Sequence, residues 1–342
     1  MKILVIGGTG FIGLYVVKEL IQAGHEVAIF NRGNSNPSLL NNNILMISGD
    51  RQQLNDFRYE FLKFQPDVVV HMGAYTKRDA ETAIATFEGI TNRIVVLSSM
   101  DVYHGYGILI GSEDGLVATP LSEKSALRHK LYPYGGEYEK IHVEDLIMKC
   151  SSISGTILRL PMVYGPGDPS HRLYKYAKRV HDNREFIILD DLFATWRASR
   201  GYVENVAHAI SLATTDDRAT NQIYNVGEIN TLSEYEWLHN IKTLLHWSGE
   251  ILAIPRGELP EELIYPSLNL KQNWDIDTTK IREQLGFQEI VSFEEGIINT
   301  FKWELNNPPE ELHPKDFPRL DYHIENEFLA NLIKDNVTTR SN

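Results

Sequence analysis

Short apolar runs alternate with longer amphipathic stretches along most of the chain. "KILVIG" (2–7), "EVAIFN" (26–31), "NILMIS" (43–48), "DVVVHM" (67–72), "RIVVLSS" (93–99) and "SGTILRLPMVYG" (154–165) are nearly continuous apolar runs of strand length. That is the pattern of parallel strands buried on both faces. Between them, "FIGLYVVKELIQAG" (11–24) carries apolar residues at helical spacing and ends on Gly24, and "KRDAETAIATFEGI" (77–90) has room for a single helix. Strand and helix in alternation predict an α/β fold, a doubly wound parallel Rossmann sheet with right-handed crossovers. Ligands of such sheets bind beyond the carboxyl ends of the strands. Two later stretches, "SEYEWLHNIKTLLHW" (233–247) and "SFEEGIINTFKWEL" (292–305), read as amphipathic core helices. The polar run "NRGNSNPSLLNNN" (31–43) reads as a loop, and "NNPPEELHPKDFPRL" (306–320) as an extended connection. The expected division is a dinucleotide-binding domain over 1–165, rejoined by about 193–228. Residues 166–192 and 229–342 then form a smaller C-terminal substrate lobe and tail.

The first strand runs straight into Gly7-Gly8-Thr9-Gly10-Phe11-Ile12-Gly13, which opens the first helix. Strand, glycine turn, helix and second strand are the context that a dinucleotide fingerprint requires. Gly7 permits the tight turn, Gly10 admits a pyrophosphate to the backbone, and Gly13 allows close helix–strand packing. The helix N-terminus offers unpaired N–H groups and partial positive charge to the anion. The second strand ends on Asn31-Arg32, with no carboxylate. An acidic side chain there accepts from the adenosine ribose, whereas arginine pairs with a 2′-phosphate, so the pattern leans to NADP, with NAD still possible. A solvated loop arginine remains the plainer reading of Arg32.

Length and charge narrow the classes. The 342 residues suffice for one large unit with a second lobe, and the apolar fraction of 42% and charged fraction of 23% are ordinary for a globular chain. A net charge of −13 disfavours nucleic acid and anionic membranes as partners. Cys150 is the single cysteine, which excludes an internal disulfide and fits a reducing, cytoplasmic setting. The glycine-broken apolar start is too short to span a bilayer and lacks a small-residue cleavage site. The twelve histidines show no metal-ligand spacing, so no metal is expected.

The motifs "GGTGFIG", "GD" (49–50), "VVVHMGA", "VVLSSMDVY", "LRLPMVYGPGD", "YVENVAHAI", "YNVG" and "DTTKIREQLGF…VSFEEGI" follow one another in family order. Over nearly its full length the chain resembles an extended short-chain dehydrogenase/reductase of the NAD-dependent epimerase/dehydratase family. The resemblance implies an oxidoreductase or epimerase/dehydratase-type enzyme acting on a small hydroxylated or carbonyl substrate, nucleotide sugars among the candidates. It implies cofactor contacts from the glycine loop, Asn31, Arg32, Asp50, Arg51, Gly73, Ala74 and Pro161. Ser99 would hold the substrate oxygen. Lys140 would hold the nicotinamide ribose and lower the pKa of a tyrosine acting as acid/base, a phenol being useless near pH 7 without a neighbouring cation. Asp101 stands where some family dehydratases carry an additional acid, and equally where a turn residue follows a strand. His171, Arg172, Arg197 and Arg200 fall in regions that family members use for substrate; as loop residues they are also ordinary solvated groups.

Two features depart from the family. Tyrosine normally precedes the lysine by four positions, on one helical face. In "LYPYGGEYEKIHVED" that position is Gly136, with Tyr134 and Tyr138 to either side. On a regular helix Tyr134 would lie about 240° and Tyr138 about 200° from Lys140. Pro133 and Gly135-Gly136 are poor helix material, so the helix should begin after them and leave Tyr134 free to approach Ser99 and Lys140. Both tyrosines merely packing is the competing reading. The short stretch between "HMGA" and "RIVVLSS" is the second departure; it resembles the atypical branch containing chloroplast stem-loop RNA-binding proteins, and leaves monomer and homodimer both open. A non-catalytic NADP-binding regulator, or less readily an RNA-binding protein using the basic strip "KSALRHK" (124–130), therefore stands beside the enzyme reading.

Overall fold

The computed structural model describes residues 1–33, 44–133, 136–264, 268–310 and 320–339. Six strands fall on the six apolar runs: β1 (Lys2–Ile6), β2 (Glu26–Asn31), β3 (Leu45–Ser48), β4 (Val68–His71), β5 (Arg93–Ser99) and β6 (Ser154–Leu160). They are followed by β7 (Met162–Tyr164), β8 (Phe186–Asp190), β9 (Arg200–Tyr202), β10 (Gln222–Asn225) and β11 (Glu250–Ile254). The central sheet has seven parallel strands in the order β10-β6-β5-β4-β1-β2-β3. Two small parallel pairs, β8 with β11 and β7 with β9, lie beside it. The run 154–165 is thus two strands rather than one. It breaks at Pro161, which has no N–H to continue a ladder, and β7 turns away to pair with β9.

Twelve helices complete the described chain: α1 (Phe11–Gln22), α2 (Arg58–Phe64), α3 (Lys77–Phe87), α4 (His104–Leu109), α5 (Lys140–Lys149), α6 (Tyr174–His181), α7 (Asp191–Thr195), α8 (Val203–Thr215), α9 (Glu234–Leu244), α10 (Thr279–Leu285), α11 (Phe293–Asn306) and α12 (Tyr322–Thr339). Alternation along β1 sends its side chains to two separate cores. Ile3 and Val5 meet Val16, Val17 and Leu20 of α1 and Val206 and Ile210 of α8. Leu4 and Ile6 meet Phe61 of α2, Phe87 of α3 and Val143 and Ile147 of α5. Each such fully buried side chain stabilises the fold by about 1.5–3 kcal/mol. The single helix expected between β4 and β5 is α3, started by a reciprocal capping box between Thr76 and Asp79. Trp237, Leu238 and Ile241 of α9 and Ile297 and Phe301 of α11 are buried, as expected of core helices. No helix among the described residues is long and apolar enough to cross a membrane.

Helix α5 begins at Lys140, where the Glu139 side chain accepts a hydrogen bond from the Ile141 N–H at 3.1 Å. Pro133 and Gly136 are not helical; Gly136 sits at φ +46°, and Tyr138 forms an isolated antiparallel bridge with Thr76. One turn into α5, Glu144 is buried and takes a forked pair from Arg159 of β6: Nε to Oε1 at 3.0 Å and Nη2 to Oε2 at 2.6 Å. Ser98 of β5 donates to the same carboxylate at 2.6 Å, and Arg159 also donates to the Tyr103 hydroxyl at 2.9 Å. Removing one partner of such a pair leaves a buried charge uncompensated. Glu144→Ala is therefore expected to cost about 3–5 kcal/mol in denaturant unfolding; a loss below about 1 kcal/mol, the range of exposed pairs, would contradict the role given to it.

A second buried carboxylate ties α11 to the loop after β7. Glu304 is fully buried, with Oε2 2.7 Å from His171 Nδ1. Burial pushes its carboxyl up from 4.5 to about 7, against the opposing pull of His171. A carboxyl with a raised folded-state pKa adds stability that is present below the unfolded value of 4.5 and lost as pH rises through about 7. Stability should thus fall across pH ~5–8 more steeply in the parent than in Glu304→Gln. Denaturation midpoints measured on both proteins over that range check this, and parallel pH profiles would refute it.

Candidate active site

The cofactor cradle follows from three glycines. Gly7 leaves β1 at φ +87°, and its N–H donates to the Phe30 carbonyl at 2.9 Å. Gly10 stands at the N-cap of α1 without a side chain to occupy the helix end. A Cβ on Gly13 would lie 2.5 Å from the Gly7 carbonyl oxygen, so only glycine lets α1 close onto the turn. In front of this cradle lies a cavity of about 580 Å³. It is lined by Gly7, Thr9, Gly10, Phe11, Ile12 and Gly13 of the glycine loop, by Arg32, Asp50 and Arg51, and by Gly73, Tyr75 and Leu97. Glycine backbone, helix N-terminus and a long cavity together fit a dinucleotide.

The individual placements differ in kind. Asn31 lines the cavity but is spent on the loop itself, donating to Thr9 Oγ1 at 3.0 Å and accepting from the Gly33 N–H at 2.8 Å. Arg32 is exposed on the rim. Asp50 caps the following 3₁₀ turn, accepting from the Gln52 N–H at 2.9 Å. Arg51 is held 5.0 Å over the Tyr75 ring and 3.6 Å from Asp79. Ala74 is buried, its carbonyl turned to Lys140. Pro161, at the end of β6, does not line the cavity.

Tyr75 and Leu97 line the cavity; Lys140 is buried against them and, like Ser99, Asp101 and Tyr138, does not itself line it. It donates to the carbonyls of Ala74 at 2.6 Å and Leu97 at 2.8 Å, and sits 4.6 Å from the Tyr75 ring centroid. Burial lowers its pKa to about 8, against the raising effect of Asp101, Asp79 and Glu144. Ser99 ends β5, its Oγ accepting from the Asp101 N–H at 3.2 Å. Asp101 is buried and receives the Tyr138 hydroxyl on Oδ2 at 2.7 Å, while its Oδ1 meets no hydrogen-bond geometry among the described residues, with the Ser99 hydroxyl as its neighbour. Burial raises the Asp101 carboxyl above the usual carboxylate range despite the Tyr138 hydrogen bond. The Tyr138 phenol is pushed well up, first by burial and then by Asp101, so it stands as a proton donor.

Tyr134 lies outside the described residues. Tyr138 was set aside on helical geometry, and that argument does not apply, because α5 starts only at Lys140 and Tyr138 precedes it in extended backbone. Pro133 and the paired glycines carried the signal for this; the helix simply begins later than Glu137. Sequence reasoning gave no role to Tyr75, nor to Tyr132, which packs 4.6 Å from Tyr138 and stacks with Tyr106.

The remaining candidates do not line the cavity. His171 stacks on Trp303 and pairs with Glu304. Arg172 donates to Asp168 at 2.5 Å and to the Val163 carbonyl at 3.2 Å. Arg197 bridges the Thr231 carbonyl and Glu236. Arg200 pairs with buried Glu234 and lies 4.6 Å over the Trp237 ring.

Comparison with known proteins matches this geometry to one family. The model of the NAD-dependent epimerase/dehydratase family matches residues 3–227. The chain is 25% identical over 338 residues to UDP-N-acetyl-alpha-D-glucosaminuronate decarboxylase of Bacillus cytotoxicus, covering 88% of this chain and 97% of that protein. It is 26% identical over 244 residues to the chloroplast stem-loop binding protein of 41 kDa b of Arabidopsis thaliana, covering 66% and 58%. Similar solved structures include UDP-glucose 4-epimerase of Thermotoga maritima with UDP-glucose, at TM-score 0.65, 22% identity and coverage of 90% and 100%. Another is dTDP-glucose 4,6-dehydratase of Bacillus anthracis in complex with NAD, at TM-score 0.66, 18% identity and coverage of 90% and 97%. With the glycine cradle, the seven-stranded sheet and the buried lysine against the cavity wall, the chain belongs to the NAD-dependent epimerase/dehydratase family.

Proposed function

We propose that this protein is an NADP-preferring enzyme that epimerises, dehydrates or oxidises the sugar of a nucleotide sugar. The observation that carries the reading is the buried Lys140 ammonium held against Tyr75 and Leu97 of the cavity wall, with Asp101 between Ser99 and Tyr138 near it. Near-full-length similarity to enzymes named for UDP- and dTDP-sugars supports the substrate class. The −13 charge and that similarity weigh against an RNA-binding role. Bound nicotinamide supplies a hydride acceptor and donor at its C4. Lys140 orients the ribose next to it, and Ser99 holds the substrate oxygen. Residues 166–192 and 229–342 form the substrate lobe. Arg172 of this lobe and Arg197, which faces it from the 193–228 segment, each keep 39% of the side chain exposed for a sugar-nucleotide diphosphate, while His171 and Arg200 are paired with Glu304 and Glu234 of the lobe.

The proton moves differently from the family's lysine-activated tyrosine. Tyr138 is too strongly held as a neutral phenol to begin as a base, so the base is Asp101. The Asp101 carboxylate accepts the substrate proton and returns it on reversal, while the Tyr138 hydroxyl, donating to Oδ2, steadies the carboxylate. If this holds, Tyr138→Phe and Asp101→Asn each lower turnover of UDP- or dTDP-hexoses about 10²–10⁴-fold with cofactor binding retained. Nicotinamide absorbance and product NMR read it. Loss of turnover in Tyr134→Phe, with Tyr138→Phe unaffected, would transfer the role to Tyr134. Inactivity of the parent on every nucleotide sugar, with different affinities for the oxidised and reduced cofactor, would favour a redox-sensing regulator instead.

Cofactor preference is assigned to Arg32 on the rim. Charge-assisted pairing with a 2′-phosphate contributes roughly 1.5–3 kcal/mol, so Arg32→Ala should weaken NADP about ten- to a hundredfold and leave NAD nearly unchanged. Equal affinity of the parent for the two cofactors would already contradict this.

A further inference from the structure

We propose that His104, Glu113 and His129 bind one zinc-class divalent metal ion, and that the ion clips the loop leading to the active-site lysine onto α4. No linear spacing announces this group, and none was expected from the sequence: the three residues come from the first position of α4, the turn after it, and the loop before α5. The fold brings one ligand atom from each to within 4.8 Å of the others, the one such group found among the described residues. Nitrogen and oxygen ligands on bonds of about 2.0–2.1 Å stand roughly 3.3 Å apart around a tetrahedral ion, so small side-chain adjustments close the site.

The central carboxylate is built in rather than floating. Glu113 is buried and packs flat against α4 at Gly107, where a Cβ would lie 2.9 Å from the carboxylate. Its Oε1 accepts from the backbone N–H groups of His129 at 2.6 Å and Lys130 at 2.7 Å. These bonds fix the carboxylate and aim Oε2 at the two imidazoles, the supporting arrangement that metal ligands characteristically have. His104 pairs with Oε2 directly, and His129 Nδ1 is 3.9 Å away. Neither His104 Nδ1 nor Glu113 Oε2 hydrogen-bonds to any other group among the described residues. His129 is 77% exposed, so it can swing onto the ion and leave a fourth position open to water. Two imidazoles and one carboxylate suit late first-row ions, zinc above all, and serve Mg²⁺ or Ca²⁺ poorly.

The location gives the ion a purpose. Next to His129, Arg128 donates to the Asp101 carbonyl at 2.6 Å and to Glu139 at 2.9 Å, and Glu139 is the cap of α5. The Tyr132 N–H donates to the same Glu139 at 2.9 Å. An ion held by α4 and His129 would therefore steady the segment that positions Tyr132, Tyr138 and Lys140.

The test uses the full, tag-free chain, stripped with a chelator and titrated with Zn²⁺ against a chromophoric competitor. One ion per chain should bind saturably, and zinc should raise Tm, reversibly with EDTA. His129→Ala, which removes an exposed side chain and keeps the backbone donor, should bind zinc at least about tenfold more weakly and lose the Tm rise. His323→Ala, an exposed histidine far along the chain, should behave as the parent. Absence of saturable binding, or His129→Ala binding zinc as tightly as the parent, would overturn the site and leave the cluster a histidine–carboxylate ion pair.

Discussion

The site depends on one constraint: an ammonium group buried where two strands and a helix meet. Lys140 is the first residue of α5, and its Nζ is held by carbonyls at the ends of β4 and β5. A buried cation is costly unless its donors are satisfied and opposite charge lies near. Both conditions are met, by the Ala74 and Leu97 carbonyls and by the field of Asp101, Asp79 and Glu144. One turn on, Glu144 binds Arg159 and Ser98, so the helix is clamped to β5 and β6 by a second polar contact on the same face. The spacing of Lys140 and Glu144 is what docks α5 in a single register: a shift by one residue would bury a different pair with no partner.

Around this clamp the glycine cradle adds a constraint of shape rather than charge. Gly13 brings α1 against the turn after β1, which aims the helix N-terminus into the cavity. Asn31 and Asp50 are used chiefly to hold their own loops, through bonds to Thr9, Gly33 and Gln52. Much of what looks like ligand chemistry in the sequence is therefore preorganisation of the loops that meet a ligand.

Most of the fold was legible because parallel strands buried on both faces leave continuous apolar runs, and six of the seven strands of the central sheet lie on such runs, β10 being the exception. The cofactor loop was legible because its glycines answer to local backbone geometry. What the sequence concealed was tertiary. His171, Arg172 and Arg197 lie in connections and Arg200 opens β9, and nothing local indicates that Glu304, Asp168, Glu236 and Glu234 arrive to pair with them. The angle of about 200° between Tyr138 and Lys140 holds only on a regular helix, and α5 starts at Lys140. Glu139 caps the helix instead, and the Thr76 bridge holds Tyr138 in extended backbone, where its hydroxyl reaches Asp101. Gly136, at φ +46°, stands outside the helix; the partner that captures the chain after it, Thr76, lies far away in sequence.

That capture links proton handling to the cofactor wall. Residues 73–76 do four things at once. Gly73 and Tyr75 line the cavity, the Ala74 carbonyl holds Lys140, Thr76 bridges Tyr138, and the Tyr75 carbonyl accepts from the Glu139 N–H at 3.0 Å. In a helix of regular spacing, tyrosine and lysine are positioned by the helix alone. Here Lys140 takes its place from the helix and Tyr138 from the segment that walls the cavity. A displacement of that segment moves Tyr75, Lys140 and Tyr138 together, because they share backbone contacts rather than a helical face. Residues joined in this way couple energetically, so their substitutions do not add. The geometry at Gly136 is thus a different mechanical solution to placing a phenol near a lysine, in which the wall of the cofactor cavity does what a turn of helix otherwise would.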